Sequence, residues 1–100
     1  LAQPPYLQYS IVSDQGKLLR TVPIDLPIGV MMHDFAITED YTIFMNLPLT
    51  FRMERMKRGE PAFMFEKNTP SRFGILPRYG DNKSIRWFEA PACYVFHTLN

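Results

Sequence analysis

Three features of this 100-residue chain predict an all-β fold. About seven short runs rich in aromatic and β-branched side chains are separated by turn signals. Only residues 51–60 have the composition of a helix. Nine prolines punctuate the chain, which suits short strands with tight connections. A sandwich, a barrel or a piece of a propeller would each satisfy this pattern.

The first hairpin is written in "YLQYSIVSDQGKLLRTVPID". Leu7, Tyr9 and Ile11 alternate with polar or smaller positions, the period of a half-buried strand. Residues 13–16, "SDQG", place Asp and Gly where a turn needs them. Residues 17–22 run back, and Pro23 and Pro27 are expected to end the strand because neither has an N–H to give a ladder. Residues 30–37 and 41–46 form a second pair across the polar turn 38–40. Both runs are apolar on both faces, which predicts buried inner strands. Residues 51–60 predict one or two helical turns, stopped by Gly59 and Pro61. Residues 71–80 predict a strand, 81–83 a turn and 84–90 the returning strand. The β-branched and aromatic run 92–100 predicts a last strand.

Composition narrows the function classes. The chain is 46% hydrophobic and 14% aromatic, a globular rather than a disordered balance. Eleven basic against ten acidic side chains leave a net charge of +1, so nothing argues electrostatically for nucleic acid. The mild cluster "RMERMKR", residues 52–58, is broken by Glu54 and reads as a solvated face. Cys93 is the single cysteine, which excludes an intramolecular disulfide and any CxxC motif and fits a reducing compartment. No apolar run approaches the roughly 18 residues of a membrane span, which leaves peripheral membrane contact open. The chain starts at Leu1 in a Pro-containing lead and stops at Asn100, just after a histidine in an expected strand. An interior piece of something longer is the expectation.

Two histidines, His33 and His97, fall in runs of high apolar density. Imidazole is the commonest metal ligand among side chains and suits Fe, Zn and Cu. Two hydrogen-bonded structural histidines would have the same spacing, so spacing alone leaves both readings open. The tempting triad of His33, Asp34 and His97 fails on strand geometry, because neighbours in a strand face opposite ways. Asp34 is expected instead to accept hydrogen bonds from nearby backbone. Cys93 and His97, at i and i+4 on one strand, would lie roughly 13 Å apart and cannot form a nucleophile–base pair. Six Met and eight Phe either fill a core or wall a site for a long apolar ligand.

Two stretches carry a family resemblance. "MHDFAITEDYTIF" resembles the motif around an iron-ligand histidine of the carotenoid cleavage oxygenases, the family that includes the retinal pigment epithelial membrane protein. "SRFGILPRYGDNKSIRWFEAPACYVFHTLN", with its "RFGILPRYG", "IRWFE" and "FHTLN" pieces, resembles the stretch leading into that family's next iron-ligand histidine. The two occur in family order and at about the family's separation. The resemblance implies about two blades of a seven-bladed β-propeller with Fe(2+) on its axis, so that residues 1–100 are a partial domain truncated at both ends. It implies four histidine ligands from different blades, with His33 matching the second and His97 the third. None of the acidic residues here matches the glutamates that family members use to orient their histidines.

The implied chemistry is oxidative cleavage of a conjugated double bond in a carotenoid, apocarotenoid or stilbene-like substrate by the full-length protein. Converting one C=C into two C=O supplies the four electrons that O2 accepts, so no cosubstrate is required. The implied partners are an apolar polyene and O2, with access to substrate by peripheral membrane contact, in the cytoplasm or a plastid. Phe35 and Phe96 are the candidate substrate-lining side chains: Phe35 shares the face of His33 by strand alternation, whereas Phe96 should face away from His97. Rival readings are an iron-free propeller that only binds an apolar ligand, and a family member doing isomerase or hydrolase chemistry.

Overall fold

The computed structural model describes residues 3–99. In chain order its elements are β1 (Leu7–Val12), β2 (Leu18–Ile24), β3 (Ala36–Ile37), β4 (Tyr41–Asn46), β5 (Leu49–Phe51), α1 (Met53–Lys57), β6 (Phe63–Phe65), β7 (Ser71–Pro77) and β8 (Arg86–Ala90). All strand pairings are antiparallel.

β1 and β2 form the expected hairpin, with Tyr9 opposite Val22. Ser13 closes the turn twice: its N–H donates to the Lys17 carbonyl at 2.8 Å, and its hydroxyl accepts from the Lys17 N–H at 3.0 Å. Gly16 takes a φ of 80°, a conformation glycine adopts without steric cost. Pro23 does not end the strand as expected. It lies inside β2 opposite Gln8, in a two-stranded sheet whose open edge asks for no N–H.

The central sheet has the order β3-β4-β7-β8. Thr38 caps the β3–β4 turn by accepting the Tyr41 N–H on its hydroxyl at 2.9 Å. β4 is buried along most of its length, as its two-faced apolar pattern predicts. The core is small: Tyr9, Ile24, Phe44 and Leu76 are buried together, with Met32, Ile85 and Trp87 packed around them. The hairpin therefore closes one face of the central sheet. Tyr9 joins the two through its hydroxyl, which lies 3.0 Å from Thr42 Oγ1. Gly74 of β7 pairs with Trp87 of β8. A Cβ at Gly74 would meet the indole ring at 2.8 Å, so the glycine is what lets the ring lie across the strand.

Between β4 and β7 the chain makes an excursion, β5–α1–β6, which the sequence announces only through its helix. Arg55 of α1 is 5% exposed. Its guanidinium donates to the Thr50 carbonyl, the Thr50 hydroxyl and the Ala62 carbonyl, and lies 3.3 Å from Glu66.

Two expected strands are corrected. Residues 30–37 are not one strand: Val30 bridges to Thr50, residues 31–35 are irregular, and only Ala36–Ile37 pairs with β4. The segment changes partner midway, so no single ladder can hold it, and β3 is not buried. Within residues 92–99 there is no strand either, because no described strand lies beside them to take up a ladder. Asn100 lies outside the described residues.

Candidate functional site

β3 and β8 are the opposite edges of the central sheet. His33 sits three residues before β3, and His97 follows β8 on a segment that returns across the molecule. The two imidazoles, 64 positions apart in sequence, meet with ring centroids 5.0 Å apart and planes at 85°. Both side chains are exposed.

Neither histidine lies in a strand, so side chains rather than a ladder set their relative position. Five hydrogen-bond contacts join residues 31–35 to residues 94–98. The Tyr94 hydroxyl donates to the Met31 carbonyl at 2.8 Å. His33 Nδ1 lies 3.1 Å from the Phe96 carbonyl oxygen. Asp34 Oδ2 accepts the Thr98 N–H at 2.8 Å and lies 3.1 Å from the Thr98 hydroxyl. That hydroxyl also lies 3.3 Å from the Phe35 carbonyl.

A carbonyl can only accept, so Nδ1 of His33 carries the proton and Nε2 of the neutral ring keeps its lone pair. Asp34 Oδ1 accepts the Phe35 N–H at 2.8 Å, so both carboxylate oxygens are engaged. These bonds, foremost the one from the Thr98 N–H and next that from Phe35, hold the Asp34 carboxyl below the usual carboxylate range. Burial pushes the Tyr94 phenol up. Asp34 thus accepts backbone hydrogen bonds as expected, although the strand alternation that suggested it is absent.

Two imidazoles bound cis to one ion by bonds of about 2.1 Å have ring centres roughly 4.5–5 Å apart. The His33–His97 pair has that spacing, and neutral nitrogen donors suit iron. The residues present therefore fit part of a histidine-ligated ion. Among the described residues no cluster of three or more His, Cys, Asp or Glu side chains could hold a metal by itself.

Phe35 is 44% exposed and leans on Phe44, with ring centroids 6.1 Å apart. With Leu7, Met32, His33 and Phe44 it lines a groove of about 280 Å³ beside the histidine pair. Phe96 does not line that groove. Its ring stands edge-on to His33 at 5.7 Å and to Tyr94 at 4.9 Å. Cys93 is remote from nucleophile chemistry with His97: its N–H donates to the Ser71 hydroxyl at 3.0 Å. Thr98 and Tyr94 were not legible as site residues. Their only signal was membership of the apolar run that ends in "FHTLN", and their roles depend on long-range contacts.

A family model described as retinal pigment epithelial membrane protein matches residues 1–100. The chain is 52% identical over 99 residues to a carotenoid 9,10(9',10')-cleavage dioxygenase of Crocus sativus, covering 97% of this chain and 18% of that protein. It is 44% identical over 94 residues to an isoeugenol monooxygenase of Pseudomonas putida, covering 94% of this chain and 20% of the relative. A crystal structure of a lignostilbene dioxygenase of Pseudomonas brassicacearum superposes with a TM-score of 0.78 at 41% identity, over 85% of this chain and 18% of that one. The chain thus spans about a fifth of the length of the relatives it matches.

Proposed function

Since the chain belongs to the retinal pigment epithelial membrane protein family, the carotenoid cleavage oxygenases, and forms part of a β-propeller, we propose that it is an interior piece of an Fe(2+)-dependent oxygenase. In this reading the whole protein uses O2 to split a conjugated C=C bond of an apolar polyene into two carbonyl products. His33 and His97 are two of the iron ligands, and the remaining donors come from parts of the protein beyond this chain. The observation that carries the reading is the meeting of the two rings at 5.0 Å from positions 64 residues apart. Relatives named for a carotenoid, for isoeugenol and for a lignostilbene all match this region.

Bound there, ferrous iron would supply the binding and activation of O2. The chain's own residues do the rest. The Phe96 carbonyl holds the Nδ1 proton of His33, which leaves Nε2 as the donor atom. The groove lined by Phe35, Met32 and Phe44 buries a polyene beside the histidine pair, at about 25 cal/mol per Å² of apolar surface removed from water. Phe96 acts indirectly, its ring flanking His33 and its carbonyl fixing it. A membrane-dissolved substrate suits peripheral contact. Met53, Met56 and Phe63 expose apolar surface that suits such contact.

The test uses the longer protein that carries this region. Incubated with carotenoid and stilbene-type alkenes under O2, it should yield two shorter carbonyl compounds by mass spectrometry. Elemental analysis should find near-stoichiometric iron, lost together with product in His33→Ala and His97→Ala. Iron-free protein that leaves every conjugated alkene intact would sink the reading.

A further inference from the structure

We propose that Asp34 is a positioning residue that holds His97 in register with His33 by clamping Thr98, an inference that rests on the two histidines being metal ligands. In a regular sheet the ladder would fix the spacing of two facing side chains. Here residues 31–35 and 94–98 share no ladder. Two bonds flanking His97 reach the His33 segment: the Phe96 carbonyl meets His33 Nδ1 at 3.1 Å, and the Thr98 N–H donates to Asp34 Oδ2 at 2.8 Å, the shorter of the two. Thr98 is the immediate neighbour of His97, and Asp34 is the immediate neighbour of His33. One carboxylate therefore ties the two ligand-bearing backbones together one residue from each ring.

The carboxylate is itself fixed. Its other oxygen takes the Phe35 N–H at 2.8 Å, which stops the side chain from rotating away. The Thr98 hydroxyl reinforces the clamp from the side, lying within reach of both Asp34 Oδ2 and the Phe35 carbonyl. A residue of this kind never touches the ion. It sets how little reorganisation the two imidazoles need to bind one, which is why partners outside the ligand set typically govern affinity by about 10- to 100-fold. No acidic residue in the chain matches the glutamates expected to orient the histidines. Asp34 does a related task through the backbone.

The experiment measures Fe(2+) dissociation constants and the melting temperature of the iron-free form for the longer protein and for its Asp34→Ala, Asp34→Asn, Thr98→Val and His97→Ala variants. Asp34→Ala should weaken iron binding about 10- to 100-fold. Asp34→Asn keeps an oxygen that can accept the Thr98 N–H and should restore part of that loss. Thr98→Val keeps the backbone bond and should lose less than Asp34→Ala. The melting temperature of the iron-free protein should stay level across the Asp34 and Thr98 series, which a merely structural role would not allow. Wild-type iron affinity in Asp34→Ala, alongside loss in His97→Ala, would overturn the clamp and leave the ligand assignment standing. Unchanged affinity in His97→Ala would overturn the ligand assignment and the clamp with it. If Asp34→Ala fails to fold, Asp34→Leu, which keeps the side chain's bulk and cannot accept the Thr98 N–H, decides: wild-type affinity in it would overturn the clamp.

Discussion

Arg55 carries its charge into a helix of five residues and stays 5% exposed there. Its guanidinium donates to the Thr50 and Ala62 carbonyls, the second of which also accepts the Arg52 N–H, and Glu66 lies beside it. Removing it would take a donor from the Thr50 carbonyl, the Thr50 hydroxyl and the Ala62 carbonyl, and would leave Glu66 with Arg52 as its cationic partner. Arg55→Met in the longer protein is therefore expected to cost about 2–4 kcal/mol, read from chemical denaturation. Glu66 brings a pH dependence. Thr50 first, then Arg52 and Arg55, hold its carboxyl below the usual range. A depressed folded value means that its contribution is complete above the ordinary Glu value of about 4.3 and disappears as pH falls through the lower folded value. Below that ordinary value the wild-type melting temperature should fall more steeply than that of Glu66→Gln. Parallel acid limbs would contradict the assignment. Nothing in the sequence marks Arg55 off from its neighbours in "RMERMKR", which reads as a solvated face. Three hydrogen bonds from residues made adjacent by the β5–α1–β6 corner single it out.

β1, β2, β4, β7 and β8 were readable because each carries five or more residues of clear strand pattern bounded by turn residues. β5 and β6 have three residues each, too few for any periodicity to register. The segment 30–37 was misread because its apolar run is continuous while its partner is not. The run 92–99 was misread because strand propensity describes a side chain's fit to a pleated surface and cannot supply the neighbouring strand. Gly74 is the element-scale test. Trp87 crosses it, with the Arg72 guanidinium 4.3 Å from the indole centre on top. Gly74→Val must push the ring off β7, with an expected loss of about 1–3 kcal/mol. A thermal melt of the longer protein checks this, and unchanged stability would show that the ring yields freely.

The described residues hold one four-stranded sheet, a hairpin closing one face of it, and a short excursion. Its core has four buried members, and Phe63, Phe65, Phe88 and Phe96 each remain at least 40% exposed. β3 and β8 leave open edges, which template association with other chains. Residues 1–100 expressed alone should therefore aggregate, and should not hold iron with two histidines. A soluble monomer with one cooperative unfolding transition by size-exclusion chromatography and calorimetry would contradict this. By itself the sequence determined the strand-rich class, the first hairpin, the strands β4, β7 and β8, and two histidine motifs in a recognisable order. Those are local matters: period, turn chemistry and short-range composition are written in consecutive residues. Only the tertiary structure decided that His33 and His97 meet outside any strand, that the Phe96 carbonyl sets the His33 tautomer, and that Asp34 grips Thr98. Each joins residues more than sixty positions apart, and no local propensity encodes a contact whose partner must first be folded into place.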